Sequence, residues 1–430
     1  MTNVKNSAAA NIAVIGCGPA GLSASIFLRR QGHKITLYER FEHARPVGAG
    51  LMLQPTGMSV LHDLELLDKV VGSSQRVNRI LGSDAKSGKT ILNVHYHHLG
   101  KGRFGLGIHR HALFRTLYDT ALDEGVHFEF GRAIDNLDVT SSGVRPTTGN
   151  GQKLAEYDFV IAANGSNCDI ANRTFNLKAP DPLPYGALWT SVDWPSSGFE
   201  PDVLAQRYDG AKVMIGVLPL GRGYDPLPQT NKKAALFWSL KTEQLEATKA
   251  AGIECWKERV CNYWPQAEAL VEQIDDFDDL SFAFYRHATL KKPYDQRVVF
   301  IGDAYHSTSP QLGQGANMAL LDAKALDLAL RYCGNDFANI GEIFHRLRAR
   351  HIQLFQMMSM FLTPFYQSDS QLSSFLRDHV ISQLSKIPPA PKMMASILSG
   401  LFMEPFRRTE IEGESLPGFS EPDWLQFGKI

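Results

Sequence analysis

The chain has 430 residues, 44% hydrophobic, 10% aromatic and 21% charged, a length beyond the ~150 residues of one typical domain and a composition that excludes disordered, collagenous and low-complexity proteins. Forty-four Lys and Arg against 45 Asp and Glu leave a net charge of -1, without the basic excess that sequence-independent phosphate binding needs, so nucleic acid is not an expected partner. Five cysteines, Cys17, Cys168, Cys255, Cys261 and Cys333, form no C-x-x-C pair, which argues against a disulfide framework and a structural zinc site and fits a reducing cytoplasm.

In chain order, Asn11-Ile-Ala-Val-Ile15 reads as a short strand, followed directly by Gly16-Cys-Gly18-Pro-Ala-Gly21 and a helix-compatible stretch to Gln31. Ile35 to Glu39 reads as a second strand with an acid at its end, so the segment is a βαβ unit with a dinucleotide fingerprint, and its apolar run is no secretion signal. Gly16 permits the tight turn, Gly18 lets backbone approach a pyrophosphate, Gly21 lets helix and strand pack closely, and Glu39 is placed to hold a ribose. Pro19 and Ala20 inside the fingerprint and Arg40 beside Glu39 complete this first set of candidate cofactor residues.

Gly100-Lys-Gly102-Arg-Phe-Gly105 matches the same glycine pattern, but it follows polar His95-Tyr-His-His98 and precedes another strand rather than a helix, so phosphate binding is not expected there. The crowding of His95, His97 and His98 brings no carboxylate or fourth ligand at a recognised spacing, so no metal is expected. His111 to Asp123 has a helical pattern, with strands near Phe128 and from Tyr157 to Ala163. From Asp181 to about Leu290 the chain turns β-rich and aromatic, with one helical stretch from Glu243 to Leu270, which predicts a second unit on an antiparallel sheet. Arg297 to Ile301 is again a buried strand before a turn and a long helix from about Gly315, so the nucleotide unit is predicted to be discontinuous. Helical patterns from Ile340 to Leu401 and a surface tail end the chain. The stripe Met357, Met358, Met360 and Phe361 reads as core. The apolar stretches there fall short of the ~20 residues that cross a bilayer, leaving peripheral membrane contact by the C-terminal helices open.

Gly302-Asp-Ala-Tyr-His306, Pro310, Gly313-Gln-Gly-Ala-Asn317 and Asp322-Ala323 together resemble the second flavin-binding motif of the class A flavoprotein monooxygenases, the para-hydroxybenzoate hydroxylase superfamily. Gly48-Ala-Gly50 with Leu53, Pro55 and Leu61 resembles that family's segment beside the isoalloxazine ring, and Arg110 with Leu113 and Leu117 its Arg-x-x-Leu helix start. The likeness covers most of residues 11 to 345. It implies an α/β fold: a Rossmann-like FAD-binding domain over 1–180 and 290–345 with a small insertion near 76–105, an antiparallel substrate domain over 181–289, and C-terminal helices and tail over 346–430. It also implies that Asp303 accepts from ribityl hydroxyls, that Gly313, Gly315, Ala316 and Asn317 meet the flavin ring at a helix start, and that Gly48 and Gly50 flank it on the other side.

The activity implied is FAD-dependent insertion of one oxygen atom from dioxygen into an aromatic small molecule through a flavin C4a-hydroperoxide, with NAD(P)H as electron donor, and the 44% hydrophobic composition with an aromatic-rich middle sheet predicts that this substrate is mainly apolar. Pro310, Gln311 and Leu312 are the candidates for lining the oxygen site, and no catalytic base is assigned. His306 follows the family pattern and is expected to be a buried histidine bonded to backbone. Where the family carries Asp-Gly followed by serine and arginine, this chain has Asn164-Gly165 with Cys168 and a displaced Arg173. The rival readings are a flavin-dependent halogenase, which shares the fold but for which the Trp-x-Trp-x-Ile-Pro pattern is absent, and a non-catalytic carrier of the GDP-dissociation-inhibitor type. Monomer and homodimer both remain open.

Overall fold

A computed structural model describes residues 8–43, 49–166, 169–176, 181–222, 231–406, 410–411 and 414–415. Its first sheet has six strands in the order Tyr294–Asp295, Val298–Phe300, Phe159–Ala162, Asn11–Ile15, Lys34–Tyr38, His127–Glu129. All pairs are parallel except the first. A parallel sheet needs cover on both faces, which is why its strands are continuous apolar runs: Ile12 to Ile15, Phe159 to Ala162 and Val298 to Phe300 are all buried. The helices Pro19–Arg30, Arg110–Asp123 and Gly315–Cys333 supply residues to the same core.

The second sheet has seven strands, ordered Ser281–Arg286, Pro182–Asp193, Lys233–Lys241, Val213–Pro219, Val203–Asp209, Arg79–Asp84, Thr90–His95. It is antiparallel apart from the parallel pair of Val203–Asp209 with Arg79–Asp84. The hairpin 79–95 is therefore part of this sheet, although it lies more than 80 residues before the sheet's other strands in sequence. Leu188, Ile215 and Trp238 on one face pack with Trp256, Val260, Trp264 and Leu270. The helical stretch expected from Glu243 to Leu270 is broken into Leu245–Ala250, Ile253–Tyr263 and Glu268–Val271, because Gly252 takes φ +87 and Pro265 cannot continue a helix.

A three-stranded antiparallel sheet of Gly50–Leu53, Gly105–His109 and Gln75–Val77 supplies Leu53, Leu106 and Ile108 to the first sheet's core and Met52 and Val77 to a smaller cluster with Ile80, Leu218 and Ala235 of the second sheet. After Cys333 a 30-residue helix, Phe337–Tyr366, leads to the short helices Gln371–Leu376 and Ala390–Ser399. The Met stripe differs from expectation: Met357, Met360 and Phe361 are exposed and only Met358 is partly buried, because the helix turns its Ile352, Phe355 and Ser359 face to the protein. Among the described residues no helix is long and apolar enough to cross a membrane.

Candidate active site

The strand Asn11–Ile15 delivers the chain to Gly16, whose φ of +109 and close approach to the Ala163 carbonyl leave no room for a side chain; a Cβ would lie 2.4 Å from that oxygen. Gly21, in the first turn of the following helix, faces the Gly16 carbonyl, 2.1 Å from where its Cβ would stand. Gly18 differs: it is the N-cap, and a Cβ there would meet nothing within 4 Å. Pro19 opens the helix, no side chain caps it and no acid occupies its first turn, so the helix start presents backbone N–H groups and a positive dipole end beside open space. Glu39 is fixed there: one carboxylate oxygen accepts from Cys17 N–H at 2.9 Å and the other from Phe41 N–H at 3.1 Å. Arg40 is exposed and lies over the Phe41 ring at 4.8 Å.

The second half of the site comes from residues 302–317, far along the chain from the first. Gly302, at φ +60, is wedged between Ala20 and Ala319 on two different helices. The 3-10 turn Pro310–Leu312 ends at Gly313, also at φ +60, and the helix Gly315–Cys333 starts without a side-chain cap or an acid in its first turn. Asn317, fully buried, ties this start to the strand Gly50–Leu53: its Oδ1 accepts from Gln54 N–H at 2.8 Å, and its Nδ2 donates to the carbonyls of Met52 and Gly313, each at 3.0 Å. Tyr96, buried on the hairpin side, donates its hydroxyl to Gln54 Oε1 at 2.6 Å.

Asp303 and Arg110 face solvent, yet protein surrounds both closely enough for burial to be the largest influence on their ionisation. Groups in that position line the wall of a cleft. Burial raises the Asp303 carboxyl above its ordinary value, with His306 and Arg110 pulling it back. Burial lowers the Arg110 guanidinium, opposed by Asp303 and then Tyr285. Burial also pushes the Tyr285 hydroxyl up to about 12, against a hydrogen bond from Trp189 Nε1 at 3.1 Å and the charge of Arg110. Asp303 and Arg110, and through Arg110 the Tyr285–Trp189 pair of the second sheet, are thus electrostatically joined. Two uncapped helix starts, an unfilled space at Gly18 and a carboxylate and guanidinium on a cleft wall fit an elongated dinucleotide with anionic phosphates and hydroxyl groups.

Behind this wall lies a buried ionic network. Asp322, fully buried, accepts from Gly302 N–H at 2.9 Å, from His306 Nε2 at 2.6 Å and from Arg348 Nε at 2.8 Å. Burial alone would raise this carboxyl, but His306 and Arg348 outweigh it and hold it below its ordinary value. His306 is buried as expected, but its partner is the Asp322 carboxylate rather than backbone. Arg348 also donates to Pro405 O at 3.0 Å and to His351 Nδ1 at 3.2 Å, while His351 Nε2 donates to Gly400 O at 3.0 Å. Asp322 belongs to the sequence motif, whereas no local spacing points to Arg348, Gln54 or Tyr96.

The remaining candidates are placed as follows. Gly48 and Cys168 lie outside the described residues. A Cβ at Gly50 would stand 2.8 Å from Leu220 Cδ2 and 2.9 Å from Ala235 Cβ, so its missing side chain is needed by core packing. Leu312 is 5% exposed and part of the main core, which leaves only Pro310 and Gln311 with surface to offer an oxygen site. A Cβ at Gly315 would meet nothing within 4 Å, and Ala316 is half-buried beside it. Arg173 pairs with Asp135 at 3.0 Å. The rings of His95, His97 and His98 cluster at 4.5 to 5.8 Å, and no group of three metal-ligating side chains occurs among the described residues.

Residues 9–338 match the family described as FAD binding domain. The chain is 29% identical over 325 residues to the 3-amino-4-hydroxybenzoate 2-monooxygenase of Streptomyces cremeus, covering 73% of this chain and 77% of that one. It is 26% identical over 367 residues to the 3-hydroxybenzoate 6-hydroxylase of Polaromonas naphthalenivorans, covering 80% and 84%. Klebsiella pneumoniae HpxO complexed with FAD and uric acid superposes with a TM-score of 0.74 at 19% identity over 93% of this chain and 99% of that chain, a likeness of fold.

Proposed function

We infer the reaction from the family: the chain belongs to the FAD binding domain family and is a class A flavoprotein monooxygenase of the para-hydroxybenzoate hydroxylase superfamily, an FAD-dependent aromatic hydroxylase. The proposal concerns how its residues serve that activity. Gly18 and the first turn after Pro19 receive the pyrophosphate, Glu39 the adenosine ribose, and Asp303 with Arg110 the ribityl and ring end of FAD. The observation that carries this reading is the pair Asp303 and Arg110, both open to solvent yet crowded by protein and coupled by charge, with Asp303 following the turn at Gly302 that touches both helices. Bound FAD would supply the activation of dioxygen, with electrons from NAD(P)H.

The chain's own residues position, shield and polarise. Gly313 and Gly315 keep side chains away from the ring, and the uncapped helix start at Gly315 directs a positive dipole end at the electron-rich reduced flavin. Pro310 and Gln311 line the oxygen site, while Trp189 and Tyr285, from the second sheet, form the apolar side against which an aromatic substrate lies. Asn317 and Tyr96 hold Gln54 and the strand before it in register with that turn.

The first glycine fingerprint is the one that opens a helix, whereas Gly105 of the second opens a strand, Gly105–His109. We propose, from family membership, that the reducing nicotinamide docks transiently and that substrate binding gates hydride transfer. The test is anaerobic stopped-flow bleaching of the flavin by NADH and by NADPH, with a panel of phenols, quinolones and indoles scored for product heavier by one oxygen. Substrate-accelerated bleaching is expected. Equal rates with and without a confirmed substrate would remove the gating, and no bleaching by either nicotinamide would replace the electron donor.

A further inference from the structure

We propose that the C-terminal helices dock this protein on the surface of an anionic lipid bilayer. Fifteen large hydrophobic side chains are exposed among the described residues, and thirteen of them fall between Met357 and Met403. Scattered exposed hydrophobics are ordinary; thirteen within one stretch of fewer than 50 residues are a surface with a purpose.

The orientation of segment 371–384 shows that the exposure is built in. A surface helix normally turns its apolar stripe to the core. Here Leu372, at 67% exposure, and Leu384, at 57%, face solvent with Phe375 and Val380, while Arg377 and Ser382, each 2% exposed, face inward. The inward polar face is pinned: Arg377 donates to Phe365 O at 2.8 Å and to Asp378 Oδ1 at 2.6 Å and lies over the Tyr208 ring at 4.8 Å, and Ser382 Oγ donates to Asp378 O. Rotating the segment to bury its leucines would strip those bonds from a buried guanidinium. On the long helix that precedes this segment, Met357, Met360 and Phe361 are exposed as well.

Charge decides what covers it. The carboxylates of these helices are spent internally: Glu342 on Arg346, Asp369 on Lys241 at 2.5 Å and Asp378 on Arg377 at 2.6 Å, and Glu404 beyond them is also engaged. The cations Lys386 and Lys392 are exposed, with no carboxylate partner among the described residues. Arg350 is exposed on the approach to Met357. A second copy of the chain meeting this face across a two-fold axis would set like charges toward one another at the rim. Anionic headgroups instead pair with the cations while the apolar side chains enter the headgroup and acyl boundary to a depth of about 5–10 Å.

The full-length, FAD-loaded protein should co-sediment with vesicles of phosphatidylcholine and phosphatidylglycerol, more weakly as salt rises, and far less with phosphatidylcholine alone. Lys386→Gln/Lys392→Gln should weaken binding on the order of 25-fold, about fivefold per lysine. Leu372→Ser/Phe375→Ser should abolish it; both positions are exposed, so FAD content and melting temperature should be unchanged, and neither readout depends on turnover. Absence of binding to the anionic vesicles, or equal binding by wild type and both variants, overturns the proposal. So does a vesicle-free dimer that Leu372→Ser/Phe375→Ser converts to a monomer, which would assign the face to a second copy.

Discussion

Replacing Asp322 by asparagine keeps the size of the side chain and removes one charge from the centre of a network in which the Arg348 guanidinium is fully buried. The guanidinium keeps Pro405 O and His351 Nδ1 but loses its carboxylate, and the new amide must turn N–H groups either toward Arg348 Nε or toward Gly302 N and His306 Nε2, which share the other oxygen. Breaking one partner of a buried pair costs about 3–5 kcal/mol. Unfolding entropy of about 2.1 cal/mol/K per residue over 430 residues is about 0.9 kcal/mol/K, so a cooperative melt should fall by about 3–6 °C. FAD occupancy should fall with it, because Asp322 holds the turn that carries Asp303. The folded carboxyl lies below its ordinary value of 3.8, so its stabilisation is present above that pH and lost as pH falls through the depressed value; the gap between wild type and variant should narrow in acid. Arg348→Met in the same chain should recover part of the loss, since it removes the unpaired cation. Circular-dichroism melts with flavin quantification read all of this. A variant melting within about 1 °C of wild type with full FAD would show that the network does not support the site.

Gly18→Val should release FAD with little change in the fold, since a Cβ there meets nothing within 4 Å in the protein but enters the space assigned to pyrophosphate; undiminished flavin content counts against that assignment. Asp303→Ala should weaken FAD by about 1.5–3 kcal/mol, roughly 10- to 150-fold in Kd, the worth of a hydrogen bond to a charged group, measured by titrating apoprotein. His351, lowered from 6.5 to about 3 chiefly by burial and then by Arg348, stays neutral when folded while the unfolded chain takes up a proton first. Its contribution is therefore lost as pH drops from 6.5 toward 3, by up to about 1.4 kcal/mol per pH unit, and His351→Gln, which keeps a donor for Gly400 O and an acceptor for Arg348, should flatten that part of the urea-derived stability profile.

What the chain's own pattern determines is local. Glycine spacing after a β-branched run dictates the strand–turn–helix of residues 11–30, because only those conformations and close approaches accept it, and the same holds for Val298–Phe300 with the helix from Gly315. The alternation and aromatic content of residues 181–289 likewise predict the antiparallel sheet. Tertiary structure alone decided that hairpin 79–95 joins that sheet, that Arg348 and not a nearer residue neutralises Asp322, and that Tyr96 props Gln54. It also set the direction of the apolar stripes: helical period places Met357, Met360 and Phe361 on one face, and Leu372, Phe375 and Leu384 on another, but period carries no information about which face meets the core. That choice is made by long-range partners, a buried guanidinium held by Phe365 O and Asp378 in one helix and Ser359 held by Ser309 and Thr308 in the other, and such pairings leave no trace in spacing.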